Sequence, residues 1–95
     1  VVVWNHGNGW RRSADRGRGV SYDDETGNHV DTWELKGALG SGLDFVAWDS
    51  SLMQMVEVNY ELRGVATFAV GSQESPPGAG YPYQRVFRPF VATPD

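Results

Sequence analysis

The sequence predicts an α/β fold built on a parallel sheet, and three observations carry that expectation. Short apolar runs at 1–4, 43–48 and 65–70 have the length and composition of strands buried on both faces. Segments with helical apolar spacing follow them, so strand and helix alternate as they do where parallel strands are joined by helical crossovers. Each run also ends in a polar cluster, and open parallel sheets bind ligands beyond the carboxyl ends of their strands.

The elements follow in chain order. Val1-Val2-Val3-Trp4 reads as the first strand, and Asn5-His6-Gly7-Asn8-Gly9 as the loop that ends it. Trp10 to Gly19 holds four arginines and two glycines without apolar periodicity and predicts an exposed loop. Val20-Ser21-Tyr22 is a brief extended segment before a turn at Asp23-Asp24-Glu25-Thr26-Gly27. Asp31 or Thr32 can cap a helix with Glu34 in its first turn, an apolar stripe of Leu35, Ala38 and Leu39, and a stop at Gly40-Ser41-Gly42. After the strand Leu43–Trp48, Leu52, Met55, Val56 and Leu62 recur at helical spacing and predict a helix from Leu52 to about Arg63, closed by Gly64. Val65–Val70 is the third strand, and Gln73–Gly80 a loop of helix and strand breakers. Pro82 can start a last short helix carrying Tyr83, Val86, Phe87 and Phe90.

Bulk composition bounds the function. Ninety-five residues make one small domain, 1–95, and 40% hydrophobic with 21% charged residues is ordinary for a globular chain. A net charge of −4 argues against nucleic acid as the main partner, and no apolar stretch has the roughly 18 residues of a membrane helix. The chain has no cysteine, which excludes disulfides and thiolate metal sites. The start at Val1, without an initiator Met, suggests a fragment or one piece of a processed chain.

Three polar clusters share the strand ends: Asn5–Gly9, Asp49-Ser50-Ser51 and Ser72-Gln73-Glu74. His6 is one of two histidines, either an ordinary loop residue or a general base, since imidazole titrates near neutral pH. Gly7 beside it lets a backbone N–H approach a developing oxyanion. Ser51 stands where a strand gives way to a helix. The commonest job of serine there is an N-cap, and the other is a nucleophile paired with His6 at the positive end of a helix dipole. Asp49 is a cap or the acidic floor of a pocket. No GxSxG elbow is present, which counts against an α/β-hydrolase. His29 reads as surface, the arginines at 11, 12, 16 and 18 as a solvated loop rather than a phosphate site, and Asp23-Asp24-Glu25 matches no EF-hand spacing.

Three segments resemble the clostripain family of cysteine peptidases, which share the caspase–gingipain fold. Trp4-Asn5-His6-Gly7-Asn8-Gly9-Trp10 is similar to the catalytic histidine motif. Asp49-Ser50-Ser51-Leu52-Met53, with Glu57-Val58-Asn59-Tyr60-Glu61-Leu62 behind it, is similar to the Asp-Ala-Cys-Leu-Met nucleophile motif. Gly71-Ser72-Gln73-Glu74 with Pro77-Gly78-Ala79-Gly80-Tyr81 resembles the loop after the next strand. Tyr22-Asp23-Asp24 and Thr32-Trp33-Glu34-Leu35 fit the region between.

The resemblance implies a three-layer α/β/α, caspase-like fold of which this chain is a part, completed by missing segments of the same domain. It implies an endopeptidase that cleaves peptide or protein substrates after Arg or Lys with a His/Cys dyad. It makes His6 the catalytic histidine, Ser51 the occupant of the cysteine position, and the N–H groups of Gly7 and Ser51 the oxyanion hole. Asp49, with Ser72, Gln73 and Glu74, contacts substrate. Self-cleavage falls in the Arg11–Arg18 segment. A calcium dependence is allowed with no ligand assigned, and the family's secreted or periplasmic bacterial location is carried over with it.

Two departures change the expectation. Serine replaces the nucleophilic cysteine, by design or by drift, and should leave the chain inactive. Ala79 stands where some relatives carry another acid, so preference for a basic residue rests on Asp49. The competing readings are a non-catalytic pseudopeptidase that binds basic peptides or a partner protein, and a serine hydrolase using Ser51 and His6.

Overall fold

A computed structural model describes residues 1–12 and 17–94 of the chain. Strand β1 (Val2–Trp4) is followed by β2 (Gly7–Gly9), β3 (Gly19–Val20) and β4 (Val30–Asp31). A single 3₁₀ turn at Thr32–Glu34 leads into helix α1 (Leu35–Leu39), then β5 (Leu43–Asp49), α2 (Val56–Glu61), β6 (Ala66–Val70) and α3 (Tyr83–Ala92).

The three apolar runs form one parallel sheet in the order β1-β5-β6, with β5 in the middle. This is the mixed α/β, mostly parallel architecture that the sequence predicts, consistent with a partial caspase-like fold. The core lies on one face of β5, where Val46 and Trp48 are fully buried and meet Leu35 of α1, Val58 of α2, and Leu62 and Val65 just beyond α2. The face that alternates with it holds Val2, Phe45, Phe68 and Val70, all exposed. Helix α3 buries none of its residues.

Asp31 precedes the 3₁₀ turn as its cap, and its N–H donates to the Glu34 carboxylate at 3.0 Å. Thr32, the other capping candidate, is fully buried and its hydroxyl donates to the Gly9 carbonyl at 2.8 Å.

Three features differ from the sequence reading. The strands expected to be buried on both faces are covered on one, since Val2, Phe45, Phe68 and Val70 are exposed on the other. Gly7–Gly9, Gly19–Val20 and Val30–Asp31 pair as a small antiparallel sheet, β2-β3-β4, in place of loop and turn. Strands of two or three residues rich in glycine carry no alternation from which to read them. The helix expected from Leu52 begins only at Val56. Leu52 has φ 64°, the left-handed region, and cannot sit in a right-handed helix. The N–H groups of Leu52 and Gln54 instead donate to the carbonyls of Glu74 and Ser72 at 3.3 and 3.1 Å. Met53, fully buried, is held in the core from this turn. The Asn59 side chain closes the turn from α2 by donating to the carbonyls of Gln54 and Met55.

Among the described residues no helix is long and apolar enough to cross a membrane.

Candidate functional site

The site is fixed by strand register. Trp4, the last residue of β1, pairs with Asp49, the last residue of β5. His6 and Ser51 each lie two residues beyond that pair, at the carboxyl end of the same sheet. Both line one open cleft of about 460 Å³, together with Trp4, Asn5, Tyr22, Asp24, Asp49, Ser50, Pro76, Pro77, Gly78 and Gly80. The Ser50 hydroxyl, buried, donates to the Val3 carbonyl at 3.3 Å and ties the two strand ends together.

His6 is exposed, and its backbone N–H donates to its neighbour's Asn5 Oδ1 at 2.6 Å. Among the described residues, neither its ring nor the Ser51 hydroxyl has a hydrogen-bond partner. Both groups are therefore free to engage whatever enters the cleft, and among the described residues the imidazole has no third side chain to orient it.

Gly7 is packed against the turn that carries Ser51. A Cβ at Gly7 would lie 2.5 Å from the Ser51 carbonyl oxygen and 2.9 Å from the Met53 Cγ. The ladder bond beside it runs from the Ser21 N–H to the His6 carbonyl at 3.1 Å. In an antiparallel pair that pattern makes Gly7 and its partner Val20 a non-hydrogen-bonded pair, so the ladder does not take the Gly7 N–H. Ser51 sits on a turn and not on a helix start: α2 opens five residues later with Met55 as its cap. The expected contribution of a helix dipole at Ser51 is thereby removed, because that field fades within the first turn.

Asp49 is only 5% exposed yet lines the cleft. Its Oδ2 accepts the Tyr81 N–H at 3.1 Å and the Tyr83 hydroxyl at 2.5 Å. Gly80, with φ 71°, lies against the same oxygen, which a Cβ there would approach to 2.7 Å. The Tyr83 phenol is pushed up to about 12, by burial first and then by its hydrogen bond to Asp49 and the nearby carboxylate charge.

Ser72, Gln73 and Glu74 do not line the cleft. The Ser72 and Glu74 carbonyls hold the Ser51–Met55 turn, and the Glu74 N–H donates to the Ser72 hydroxyl at 3.0 Å. The wall on that side is built by Pro76 to Gly80 instead. Tyr22 and Asp24 form another part of the lining that single-residue reasoning missed, since a Tyr-Asp-Asp turn carries no chemical signature by itself. Tyr83 read as one member of an apolar helix stripe, and nothing in its spacing marks the contact with Asp49.

The remaining candidates lie elsewhere. His29 is half-buried, stacked on Tyr22 with ring centroids 5.0 Å apart, and 3.0 Å from Asp31 Oδ1, so it is a packed residue and not a loose surface one. Arg11 and Arg12 are exposed, Arg18 stacks 4.8 Å from the Trp10 ring, and Arg16 is outside the described residues. Both carboxylate oxygens of Asp23 are used within its own turn, by the Glu25 N–H and the Thr26 hydroxyl. The Thr26 bond is the main reason its carboxyl is held below the ordinary value. Among the described residues no group of three His, Asp or Glu is placed to hold a metal ion.

Comparison with known proteins follows this geometry. The sequence profile of the clostripain family matches residues 1–95, the whole chain. No curated protein matches it.

Proposed function

The chain belongs to the clostripain family, whose members are cysteine peptidases, and from that premise we propose that it is the core of an endopeptidase cleaving after Arg or Lys, silenced at its nucleophile. The observation that carries the reading is the Trp4–Asp49 pairing, with His6 and Ser51 at equal distance beyond it on one cleft.

In this reading His6 takes the proton of the nucleophile and returns it to the leaving amine. The residue at 51 attacks the scissile carbonyl, and the N–H groups of Gly7 and Ser51 receive the oxyanion. Asp49 receives the basic side chain before the scissile bond. A cysteine at 51 would bring a thiol with pKa about 8.5, close enough to neutrality to be ionised by an imidazole. A serine hydroxyl needs a base held in strict alignment, and the His6 ring has no orienting partner among the described residues. Ser51 therefore leaves the chain inactive. The Arg11–Arg18 segment offers basic residues for self-cleavage once the nucleophile is restored, and a secreted or periplasmic location follows the family.

The test is Ser51→Cys in the full-length protein, assayed on arginyl and lysyl peptide substrates. Turnover should rise by several orders of magnitude, since losing the nucleophile of a catalytic triad costs on the order of 10⁶. A folded Ser51→Cys protein that binds basic peptides without cutting them would instead mark a pseudopeptidase. Fluorophosphonate labelling of the unaltered chain that vanishes in Ser51→Ala would mark a serine hydrolase.

A further inference from the structure

We propose that Tyr83 makes the site choose lysine over arginine, by occupying Oδ2 of Asp49 and leaving Oδ1 as the single oxygen open to a substrate cation. The inference rests on the reading above, that Asp49 receives the basic side chain.

A carboxylate has about four lone-pair sites, two on each oxygen. Both sites of Oδ2 are taken, one by the Tyr81 N–H at 3.1 Å and one by the Tyr83 hydroxyl at 2.5 Å. Gly80 is packed beside that oxygen, which a Cβ there would approach to 2.7 Å. Among the described residues no hydrogen bond reaches Oδ1, and Asp49 faces the cleft while being almost fully buried. The carboxylate therefore presents one working acceptor atom.

The two basic side chains use a carboxylate differently. A guanidinium is a planar fork that gains most from two parallel N–H bonds, one to each oxygen. An ammonium is a compact charge that is served by one oxygen. With Oδ2 closed, arginine loses the second arm of its fork and leaves those N–H donors unpaired, while an ammonium, although it too is desolvated, keeps the single contact that serves it. Tyr83 does not give up its place by ionising. Its pKa, pushed up to about 12, keeps the hydroxyl a donor at neutral pH and well above it.

Calorimetric titration of the full-length Ser51 protein tests this without turnover, using three peptides identical except for a C-terminal lysine amide, arginine amide or norleucine amide. The lysine peptide should bind about tenfold tighter than the arginine peptide, the value of one net charge-assisted hydrogen bond. Tyr83→Phe frees Oδ2 and should bring the two affinities to near equality or reverse them. Arginine binding as tightly as lysine in the unaltered protein overturns the proposal, whatever the variant does. So does a lysine preference that Tyr83→Phe leaves unmoved. If both basic peptides lose binding in Asp49→Asn in those cases, the reading of Asp49 stands although the role of Tyr83 falls. If neither basic peptide binds better than norleucine, the reading of Asp49 itself fails and takes the proposal with it.

Discussion

Asp49 has two obligations that divide its carboxylate between them. It anchors the Gly80–Tyr83 segment through Oδ2, and with Asp24 it is one of the two acidic residues that line the cleft. The anchoring side of this arrangement has a pH signature. The Tyr83 phenol has its folded-state pKa raised to about 12, against about 10 for a tyrosine in an unfolded chain. A raised folded pKa means that the stabilisation is complete below about pH 10 and is lost as pH rises through about 12. Spectroscopic titration at the tyrosinate absorbance should show a component with a midpoint near 12 that is absent in Tyr83→Phe. Unfolding midpoints measured between pH 9 and 12 should fall more steeply for the unaltered protein than for the variant. Equal slopes would mean that Tyr83 ionises freely and that its bond to Asp49 is not kept in solution. At this scale the sequence was partly legible. Asp49, His6, Gly7 and Ser51 are found by their positions at strand ends, whereas the Tyr83 contact joins residues 34 apart through a loop whose path no local pattern encodes.

At the scale of the element, the turn after β5 matters more than the helix after it. Ser51 is set by a left-handed Leu52, whose conformation costs on the order of 1 kcal/mol for a residue with a Cβ. The cost is offset by burial of Leu52 and Met53 and by backbone bonds to the Ser72–Glu74 segment. The β2 end of the first strand's loop fits against this turn only because Gly7 has no side chain. Gly7→Ala should therefore force the His6 and Ser51 segments apart, lowering stability by about 1–3 kcal/mol, as overpacking does. In a Ser51→Cys background it should also cut kcat by a larger factor than it raises KM, because the displaced groups act on the reacting bond. Denaturant melts and steady-state kinetics check the two halves separately. An unchanged melt would show that the packing at Gly7 yields cheaply. The same turn explains why a helix was expected from Leu52. Leu52 and Met55 have helical spacing because turn and helix direct apolar residues to the same core, whereas Val56, which extends the pattern, is exposed. The carbonyls of Ser72 and Glu74 that capture the Leu52 and Gln54 N–H groups lie about twenty residues away, where local spacing cannot reveal them.

For the whole molecule, the parallel sheet was legible because its three strands are continuous apolar runs, but those runs are apolar on both faces and only one face is covered. Val46 and Trp48 on β5 are fully buried, while Phe68 and Val70 on β6 are 68% and 55% exposed and Phe45 beside them is 40% exposed. Strand β6 is also a sheet edge, with one row of backbone groups that has no partner strand among the described residues. A flat, apolar edge of this kind is a template for association unless charge interrupts it, and β6 itself, Ala66–Val70, carries no charged residue. The 95-residue chain should accordingly self-associate in solution in a concentration-dependent way and bind a dye that reports exposed apolar surface. Phe68→Lys places a charge at the centre of the patch on a side chain that already faces out, so it should reduce both effects with little loss of fold. Light scattering over a concentration series, with far-ultraviolet circular dichroism to confirm the fold, makes the comparison. A monodisperse unaltered chain at high concentration would show that this face is covered in solution. Association that persists undiminished in Phe68→Lys would place the contact elsewhere, with the exposed Val86, Phe90 and Val91 of α3 as the next surface to charge.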